Sequence, residues 1–384
     1  MHRNELNLPP KLKGRWLVNL AVGLVLAVGV IWFAANFSYV SWDFRNNLWG
    51  PSRLLVQGQS PYRLDLLFER GNPVWLHPAI GAFFPLGWIS FPLAANLWLI
   101  ANAAILIAII MLVARSKISL LLFAAVSLIV ILFPPTITHI QLGQFTLLAM
   151  LLFMVAAIYS QTLPIPAIAL MIAITLAKPQ LGVLVIPGII LSIYRHRGAR
   201  AAVALTLLTA LSIFVLSIPL FIAEPQWVAD FLAAIGKNPA YLQPSSYSLL
   251  PHQFGDFGFL LWLIFGLIVF VINLSLWWRH PPERAILWSL ALTPLVTPYT
   301  WSWDFVLVLP LFIDMLIKAH YRRTRLFLVG GYLLFWFSAV ALAMSGDIGN
   351  DQFWWIPYIL WALILLAMGL EERLRLKPQP IFKP

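Results

Sequence analysis

Long apolar runs recur along almost the whole chain and are separated by short polar segments. The first run, at about 17–37, has about 20 residues, which is enough for an α-helix to cross the hydrocarbon core of a bilayer. Several later runs are shorter, so broken, tilted or half-buried helices are expected there. The pattern predicts an all-α, polytopic transmembrane bundle with about twelve crossings, whose approximate cores are 16–37, 91–114, 118–134, 143–159, 164–177, 180–194, 201–222, 257–278, 284–299, 305–319, 325–345 and 353–370.

Two polar segments, at 38–77 and 223–256, are much longer than the others. They contain Trp, Tyr and Pro, which favours packed structure over disorder. Long loops are often functional, so chemistry is expected on the face that carries them. The segment 78–90 is too short to span and predicts a juxtamembrane helix. The predicted organisation is a basic tail at 1–15, one transmembrane domain at 16–370 that carries both loops, and a tail at 371–384.

Composition supports lipid as the main solvent of this chain. It is 61% hydrophobic and only 10% charged, whereas a soluble domain carries about 25% charged residues. No cysteine is present, which excludes disulfides, a thiolate nucleophile and a cysteine metal site. No small-residue cleavage site follows the first apolar run, so we expect an uncleaved first span and not a signal peptide.

The distribution of charge predicts the orientation. The net charge of +11 does not require nucleic acid as a partner, because basic residues of membrane proteins gather on the cytoplasmic side. With a cytoplasmic N-terminus, 19 of the 25 Lys and Arg residues fall inside, and nine of the 14 acidic residues fall outside. We therefore expect a multi-pass protein of the cytoplasmic membrane, with both termini cytoplasmic and both long loops outside.

The first external loop carries the leading catalytic candidate, Asp43. Trp42, Phe44 and Trp49 surround it, and such aromatic residues favour the headgroup level of a membrane. A carboxylate held in a partly dry site has a raised proton affinity, as a general base requires. The alternatives are a solvated loop carboxylate or a helix N-cap.

Three arginines of the same loop, Arg45, Arg53 and Arg63, are candidates for binding a phosphate. A guanidinium group is always charged and presents two parallel donors that match phosphate oxygens. Contacts with lipid headgroups, or salt bridges with Asp65 or Glu69, would explain the same arginines without a substrate.

Lys178 is a further candidate for phosphate binding. It lies between two apolar segments that are each too short to span, and Pro179 breaks the helix there. Lys178 should therefore lie below the membrane surface, where an ionisable residue indicates a functional site. The alternative is that its side chain snorkels to the interface.

Side chains suited to carbohydrate binding recur near predicted external helix ends. Amides and aromatic rings beside a carboxylate fit a sugar, but they also fit helix caps and an aromatic interface belt. These sugar or acceptor candidates are His77, Gln141, Gln144, Trp303 and Asp304. His77 and His139 lack the spacing of metal ligands, so no metal site is assigned.

Several common catalytic signatures are missing from the sequence. It contains no Walker A loop, no nucleotide-binding glycine fingerprint and no nucleophile elbow. Because the external compartment holds little nucleotide-activated sugar, group transfer there needs a donor that arrives in the membrane.

The order of short motifs resembles glycosyltransferase family 87, a DUF2029-type group of the GT-C superfamily of polytopic enzymes. The motifs run over about 40–310 and are "DF", "RLLVQGQSPY", "LHPA", "FPL", "LGQFTLL", "LAKP" and "TPYTWSWD". The resemblance implies a polyprenyl-phosphate-sugar donor, often of mannose, and transfer outside the cytoplasmic membrane with inversion at the anomeric carbon.

The resemblance also implies roles for particular residues. The acidic residue of the first external loop is the base in this superfamily, which corresponds to Asp43. Tyr62 in "SPY" joins the sugar or acceptor site, and the "GQ" and "KP" pairs correspond to Gln144 and Lys178. The family often has Tyr-Pro-Pro where this chain has "HPA", and Asn where it has Thr146, so the sugar or acceptor differs from that of better-known members.

The expected partners are a polyprenyl-phosphate-linked sugar, a glycan or glycolipid acceptor and membrane lipids, with no nucleic acid. No cofactor is required; a divalent metal is compatible with the mechanism but not demanded by it. The main rival hypothesis is a transporter or flippase of a lipid-linked sugar, which broken helices and a buried Lys also fit. It predicts pseudo-symmetric halves, which the sequence does not show. A third hypothesis is a non-enzymatic subunit in envelope assembly.

Overall fold

The computed structural model describes residues 41–69, 71, 73–114, 118–237, 243–346 and 350–376. Within these ranges the chain forms helices and turns and no β-strand, which confirms the predicted all-α class. The predicted tail at 1–15 and the predicted crossing at 16–37 lie outside the described residues. The predicted domain boundaries stay a prediction.

Five helices in the described part of the chain are long and apolar enough to cross a membrane. They are Phe91–Ala114, Ala199–Ala223, Ser246–Arg279, Arg322–Met344 and Asn350–Arg375, the last opening with the 3₁₀ turn Asn350–Phe353 and continuing as Ile356–Leu376. A sixth span is formed if Leu120–Ile131 and Pro134–Leu142, which meet at a bend of 67°, are taken together. These helices make the chain a membrane protein.

The predicted number of about twelve crossings is not confirmed. Several of the predicted crossings are helices of 13 residues or fewer, such as Thr146–Ile158 and Ile165–Thr175. At about 1.5 Å per residue such a helix reaches only about 20 Å, short of a ~30 Å hydrocarbon core. The short and broken helices expected from the sequence are therefore present, and in Thr146–Ile158 eight of the 13 residues are buried in the protein.

The remaining elements are shorter than the five membrane-spanning helices. The other α-helices are Trp42–Phe44, Gly50–Val56, His77–Phe83, Val185–Arg197, Trp227–Ile235, Pro282–Val296 and Leu309–Lys318. The other turns are a π-helical turn at Arg45–Trp49 and 3₁₀ turns at Leu64–Leu66, Phe84–Trp88, Pro179–Gly182 and Ser302–Val308. Both long loops predicted from the sequence thus contain helical segments, and the predicted helix within 78–90 is found as His77–Phe83 and the turn that follows.

The centre of the bundle is the helix Pro282–Val296. It is almost entirely buried and packs against Thr146–Ile158, Ser246–Arg279 and the turn Ser302–Val308. Pro282 fits at its start because the first turn of a helix has no partner for a backbone N–H. Two of the polar residues described below, Gln144 and Lys178, lie just beyond the ends of the short helices Pro134–Leu142 and Ile165–Thr175.

The longest helix, Ser246–Arg279, is interrupted at Gly255 and faces mostly outward. Gly255 has φ 58° and ψ −138°, a conformation that kinks the helix and that glycine adopts most easily. Only 11% of its most apolar window is buried, so its surface suits lipid. On either side of the kink it donates hydrogen bonds to the last two residues of the central helix: Ser246 Oγ to the Leu295 carbonyl (2.6 Å) and Trp262 Nε1 to the Val296 carbonyl (3.1 Å).

Candidate active site

Asp43 and Gln144, which are 101 positions apart, meet through a direct hydrogen bond. Gln144 Nε2 donates to Asp43 Oδ2. The backbone N–H of Ser41 donates to the Gln141 carbonyl, and the Phe44 ring stacks on Trp98 at 5.3 Å between centroids. These contacts fix the segment that carries Asp43 against the turn that carries Gln144.

The turn that presents Gln144 depends on Gly143. This residue ends the helix Pro134–Leu142 in the left-handed conformation, with φ 68°, and the N–H of Gln144 closes the turn on the His139 carbonyl at 3.0 Å. The Gly143 carbonyl accepts a hydrogen bond from Trp98 Nε1 at 2.9 Å. A Cβ atom at this position would lie only 2.7 Å from Cβ of Phe44, so backbone conformation and space both require glycine.

Gly143→Ala should lower the free energy of unfolding by about 2–4 kcal/mol, because it combines left-handed strain with a steric clash. The clash should also push the Asp43 segment away from the turn. Denaturant titration of the purified protein in detergent measures the change in the free energy of unfolding.

Gly58→Ala is the matched control for this change. Gly58 has φ 72°, but a Cβ atom there would meet no atom of the described residues within 4 Å, so only backbone strain of about 1–2 kcal/mol applies. Equal losses of stability in the two variants would show that the contact with Phe44 is unimportant.

Lys178 and Asp304 form a buried ion pair next to the Asp43–Gln144 contact. Lys178 Nζ lies 3.0 Å from Asp304 Oδ1 and 2.7 Å from Gln144 Oε1, and Thr146 Oγ1 lies at 3.4 Å. Asp304 is fully buried and Lys178 is nearly so. A chain of polar contacts thus runs from Asp43 through Gln144 and Lys178 to Asp304.

The Asp304 carboxylate accepts hydrogen bonds from other donors besides Lys178. It accepts hydrogen bonds from the Thr146 hydroxyl and from the backbone N–H of Trp301 at 3.2 Å, which closes the first turn of Ser302–Val308. Because buried charges need partners, this set of donors explains how a carboxylate is kept in the core. Lys178 in turn follows the end of the helix Ile165–Thr175, and Pro179 after it begins a new turn.

The segment 73–76 connects the two halves of this site. Asn47 donates from Nδ2 to the Asp43 carbonyl and accepts the N–H of Val74 at 2.7 Å on its Oδ1. The N–H of Leu76 donates to the Ala177 carbonyl at 2.9 Å, one residue before Lys178. Nζ of Lys178 lies 5.6 Å from the centre of the Trp75 ring. Hydrogen bonds through the Asn47 side chain and the segment 73–76 therefore link Asp43 to the residue before Lys178.

A cavity of about 670 Å³ opens beside these residues. Its volume is within the range of small-molecule sites, and its wall mixes aromatic and polar groups. The wall includes Trp42, Asp43, Asn46, Asn47, Val74, Trp75, Gln144, Lys178, Gln180, Lys237, Tyr299, Trp301 and Trp303. The rings of Trp301 and Trp303 are stacked, with centroids 5.1 Å apart and planes within 7°. Flat rings beside amide and carboxylate groups can hold a sugar ring.

The Asp43 carboxyl is the titrating group of this cavity that is best placed to accept a proton. Burial raises its pKa to about 6, and the nearby Asp304 charge adds to the rise, whereas the Lys178 charge and the Gln144 hydrogen bond oppose it. At neutral pH the carboxyl is therefore mostly ionised but more basic than an ordinary Asp, which is the range a general base needs.

The structure brings together five of the residues singled out from the sequence: Asp43, Gln144, Lys178, Trp303 and Asp304 all contact or line the cavity region. Asp304 reaches it only through Lys178 and Thr146. The roles predicted for them are not tested by their positions and stay predictions.

The three arginines predicted to bind phosphate lie elsewhere in the same loop. Arg63 is exposed and forms an ion pair with Asp65 at 2.9 Å. The Arg45 guanidinium packs against the rings of Trp42 and Phe68, 4.3 Å from each centroid. Arg53 donates to the Gly87 carbonyl at 3.0 Å. None of the three is part of the cavity wall, and their phosphate role stays a prediction.

Three predicted sugar or acceptor residues also lie outside the cavity wall. The Tyr62 hydroxyl donates to the Trp75 carbonyl at 3.1 Å. His77 packs its ring on Trp227, and burial lowers its pKa to about 4, so it is neutral at pH 7. Gln141 is partly exposed, and its carbonyl holds Ser41. Their binding roles stay predictions.

Sequence inspection missed several residues that build the site. Asn47 ties Asp43 to the segment before Trp75, and Lys237 lines the cavity from the helix end after Trp227–Ile235. An asparagine in a membrane-interface loop is only a weak sequence signal for a functional site. Lys237 lies in the second long loop, far from Asp43 in sequence. Among the described residues, no group of three or more His, Asp or Glu side chains is placed to hold a metal ion.

The chain matches the model of a known protein family. The family model of glycosyltransferase family 87 matches residues 75–310, which is more than half of the chain. The matched range contains Gln144, Lys178 and Asp304, whereas Asp43 precedes it. Among curated proteins, none matches this chain.

Proposed function

Since this chain belongs to glycosyltransferase family 87 and is a membrane glycosyltransferase, we propose that it transfers a sugar from a polyprenyl-phosphate donor to a glycan or glycolipid acceptor, with Asp43 as the general base. Mannose is the first candidate for the sugar. The active site lies on the extracytoplasmic side of the cytoplasmic membrane, and both termini are cytoplasmic.

The observation that carries this proposal is the contact of Asp43 with the Gln144–Lys178–Asp304 chain at the wall of one cavity. Asp43 Oδ2 is held by Gln144, which leaves Oδ1 to meet an acceptor hydroxyl. An acceptor hydroxyl cannot reach Asp304 in the same way, because Asp304 is fully buried, does not line the cavity and already accepts hydrogen bonds from Lys178 and Thr146. The two carboxylates therefore have different roles.

The reaction then proceeds as one displacement. The acceptor oxygen bonds to the anomeric carbon and gives its proton to Asp43. The bond from that carbon to the phosphate oxygen breaks, and polyprenyl phosphate leaves with the electron pair. Attack from the face opposite the leaving group inverts the anomeric carbon. The positive charge of Lys178 stabilises the growing negative charge, and no general acid is needed, because the leaving group is already an anion.

Turnover tests the proposal directly. The purified full chain in nanodiscs is given radiolabelled polyprenyl-phosphate-mannose and an acceptor extract, and released polyprenyl phosphate is measured. A panel of polyprenyl-phosphate sugars then identifies the preferred donor. A flippase would move the labelled lipid between leaflets without releasing polyprenyl phosphate, so movement without release would refute the transferase.

The pH dependence of transfer should follow the Asp43 carboxyl. The base acts when it is deprotonated, so kcat/KM should rise with pH through about 6 and level off above it. In Gln144→Met the midpoint should move to higher pH, because a hydrogen bond that favours the ionised carboxylate is lost.

Gln141→Met is the control for this shift, because Gln141 does not line the cavity. Its pH profile should match that of the unmodified protein. Identical midpoints in the Gln144 and Gln141 variants would mean that another group sets the pH dependence.

A further inference from the structure

The charges of the cavity do not by themselves favour a phosphate. With Asp43 ionised, the Asp43–Lys178–Asp304 group holds two negative charges and one positive charge. The donor proposed above enters as a phosphodiester with one negative charge, and polyprenyl phosphate leaves with more. A second cation at the cavity would offset this repulsion.

The ammonium group of Lys178 is already engaged. A lysine has three N–H donors, and three acceptors surround Nζ: Gln144 Oε1 at 2.7 Å, Asp304 Oδ1 at 3.0 Å and Thr146 Oγ1 at 3.4 Å. Its positive charge therefore acts on the cavity through space, but a direct hydrogen bond to a ligand would displace one of these partners.

Among the described residues, the cavity wall contains one cationic side chain besides Lys178, and it is Lys237. It follows the helix Trp227–Ile235, and its N–H is held by the Ala234 carbonyl at 3.2 Å. Its side chain is exposed, and within the described ranges no carboxylate forms an ion pair with it. The nearby Asp65 is bonded to Arg63 at 2.9 Å.

We propose that Lys237 binds the donor phosphate at the rim of the cavity, while Lys178 acts as a positioning residue for Gln144 and Asp43. This inference rests on the proposed function. In a polyprenyl-phosphate sugar, the phosphate joins a polar sugar to an apolar chain. When the sugar occupies the cavity and the chain stays in lipid, the phosphate must lie at the opening, which is where an exposed lysine can reach it.

Binding of the leaving group tests this role without requiring transfer. Farnesyl phosphate, a short-chain polyprenyl phosphate, is titrated into the purified full chain, and binding is followed by quenching of tryptophan fluorescence. We expect Lys237→Ala to weaken binding by about tenfold, the loss of one charge-assisted hydrogen bond. Lys237→Arg should restore most of the affinity, because it keeps the charge.

Arg200→Ala is the matched control. Arg200 is an exposed cation that does not line the cavity, so its removal should leave farnesyl phosphate binding unchanged. Equal affinity in Lys237→Ala and the unmodified protein would overturn the role of Lys237 while leaving the donor class intact. No binding by the unmodified protein would overturn the donor class together with this inference.

A lipid-headgroup arm separates substrate binding from general attraction to anionic lipid. The same variants are measured in nanodiscs with and without phosphatidylglycerol. Weakening by Lys237→Ala that persists without phosphatidylglycerol supports a substrate contact. If Lys237→Ala weakens only the interaction with phosphatidylglycerol and leaves the affinity for farnesyl phosphate unchanged, Lys237 contacts the membrane surface and the proposal is refuted.

Discussion

Asp43→Asn should reduce kcat/KM for sugar transfer by about 100- to 10,000-fold, the usual contribution of a general base. The amide is nearly the same size as the carboxyl but cannot accept the acceptor proton. Donor saturation should change little, because the cationic groups of the cavity are intact. Release of polyprenyl phosphate from a radiolabelled donor measures the rate, and its dependence on donor concentration measures saturation.

Asp65→Asn is the control for the loss of a carboxylate in the same loop. Asp65 is exposed, bonded to Arg63 and absent from the cavity wall, so this variant should keep its activity. Full activity in Asp43→Asn would eliminate Asp43 as the base. Equal losses in both variants would show a general defect of the loop.

Breaking the buried pair of Lys178 and Asp304 should have the largest effect on stability. Asp304→Asn removes the carboxylate beside a nearly buried ammonium group, and leaving one charge of a buried pair alone costs about 3–5 kcal/mol of the free energy of unfolding. Lys178→Met should cost a similar amount, because it leaves the Asp304 carboxylate uncompensated. Unfolding by a graded detergent–denaturant mixture measures these free energies.

A double-mutant cycle separates the pair from its surroundings. The double variant Lys178→Met with Asp304→Asn should cost less than the two single changes together, because neither charge is left alone. Asp314→Asn is the comparison: it breaks an ion pair with Lys318, whose side chain is 63% exposed, and should cost about 1 kcal/mol or less. Strict additivity in the cycle would show that the two buried groups do not interact.

The class of fold could be predicted from the sequence, but the number of crossings could not. Low charge and long apolar runs suffice to predict a helical membrane protein. A short apolar run such as Thr146–Ile158 has the same composition whether it spans lipid or lies within the core, so hydropathy alone assigns it to the membrane. Only the packing of such helices around Pro282–Val296 distinguishes the two cases.

The site could be predicted in part for a similar reason. Lys178 and Asp304 stand out because charged residues are rare in apolar sequence, and the structure places them 3.0 Å apart although 126 positions separate them. Residue type alone does not distinguish Gln141 from Gln144, and only the "GQ" pair of the family resemblance singles out Gln144. Their difference arises from Gly143, which ends the helix and turns Gln144 alone toward Asp43.

Proximity to Asp43 along the chain did not predict which cationic side chains line the cavity. Arg45 and Arg53 are close to Asp43 in sequence, yet their guanidinium groups contact aromatic rings and a backbone carbonyl. Lys237 belongs to the second long loop, far from Asp43 in sequence, and tertiary packing places it in the cavity wall. Sequence patterns identify which residue types are unusual, but the tertiary contacts decide which of them face the same space.

The kinked helix Ser246–Arg279 makes the shape of the cavity sensitive to the thickness of the bilayer. Its 34 residues would extend about 50 Å if straight, well beyond a ~30 Å hydrocarbon core, and such a helix adapts to acyl chains of different length by tilting. Its bonds to Leu295 and Val296 pass that tilt to the stretch that leads to Tyr299 and Trp301. Hydrophobic mismatch should therefore change the shape of the cavity, and we expect the rate of the proposed sugar transfer to depend on the lipid composition of the membrane.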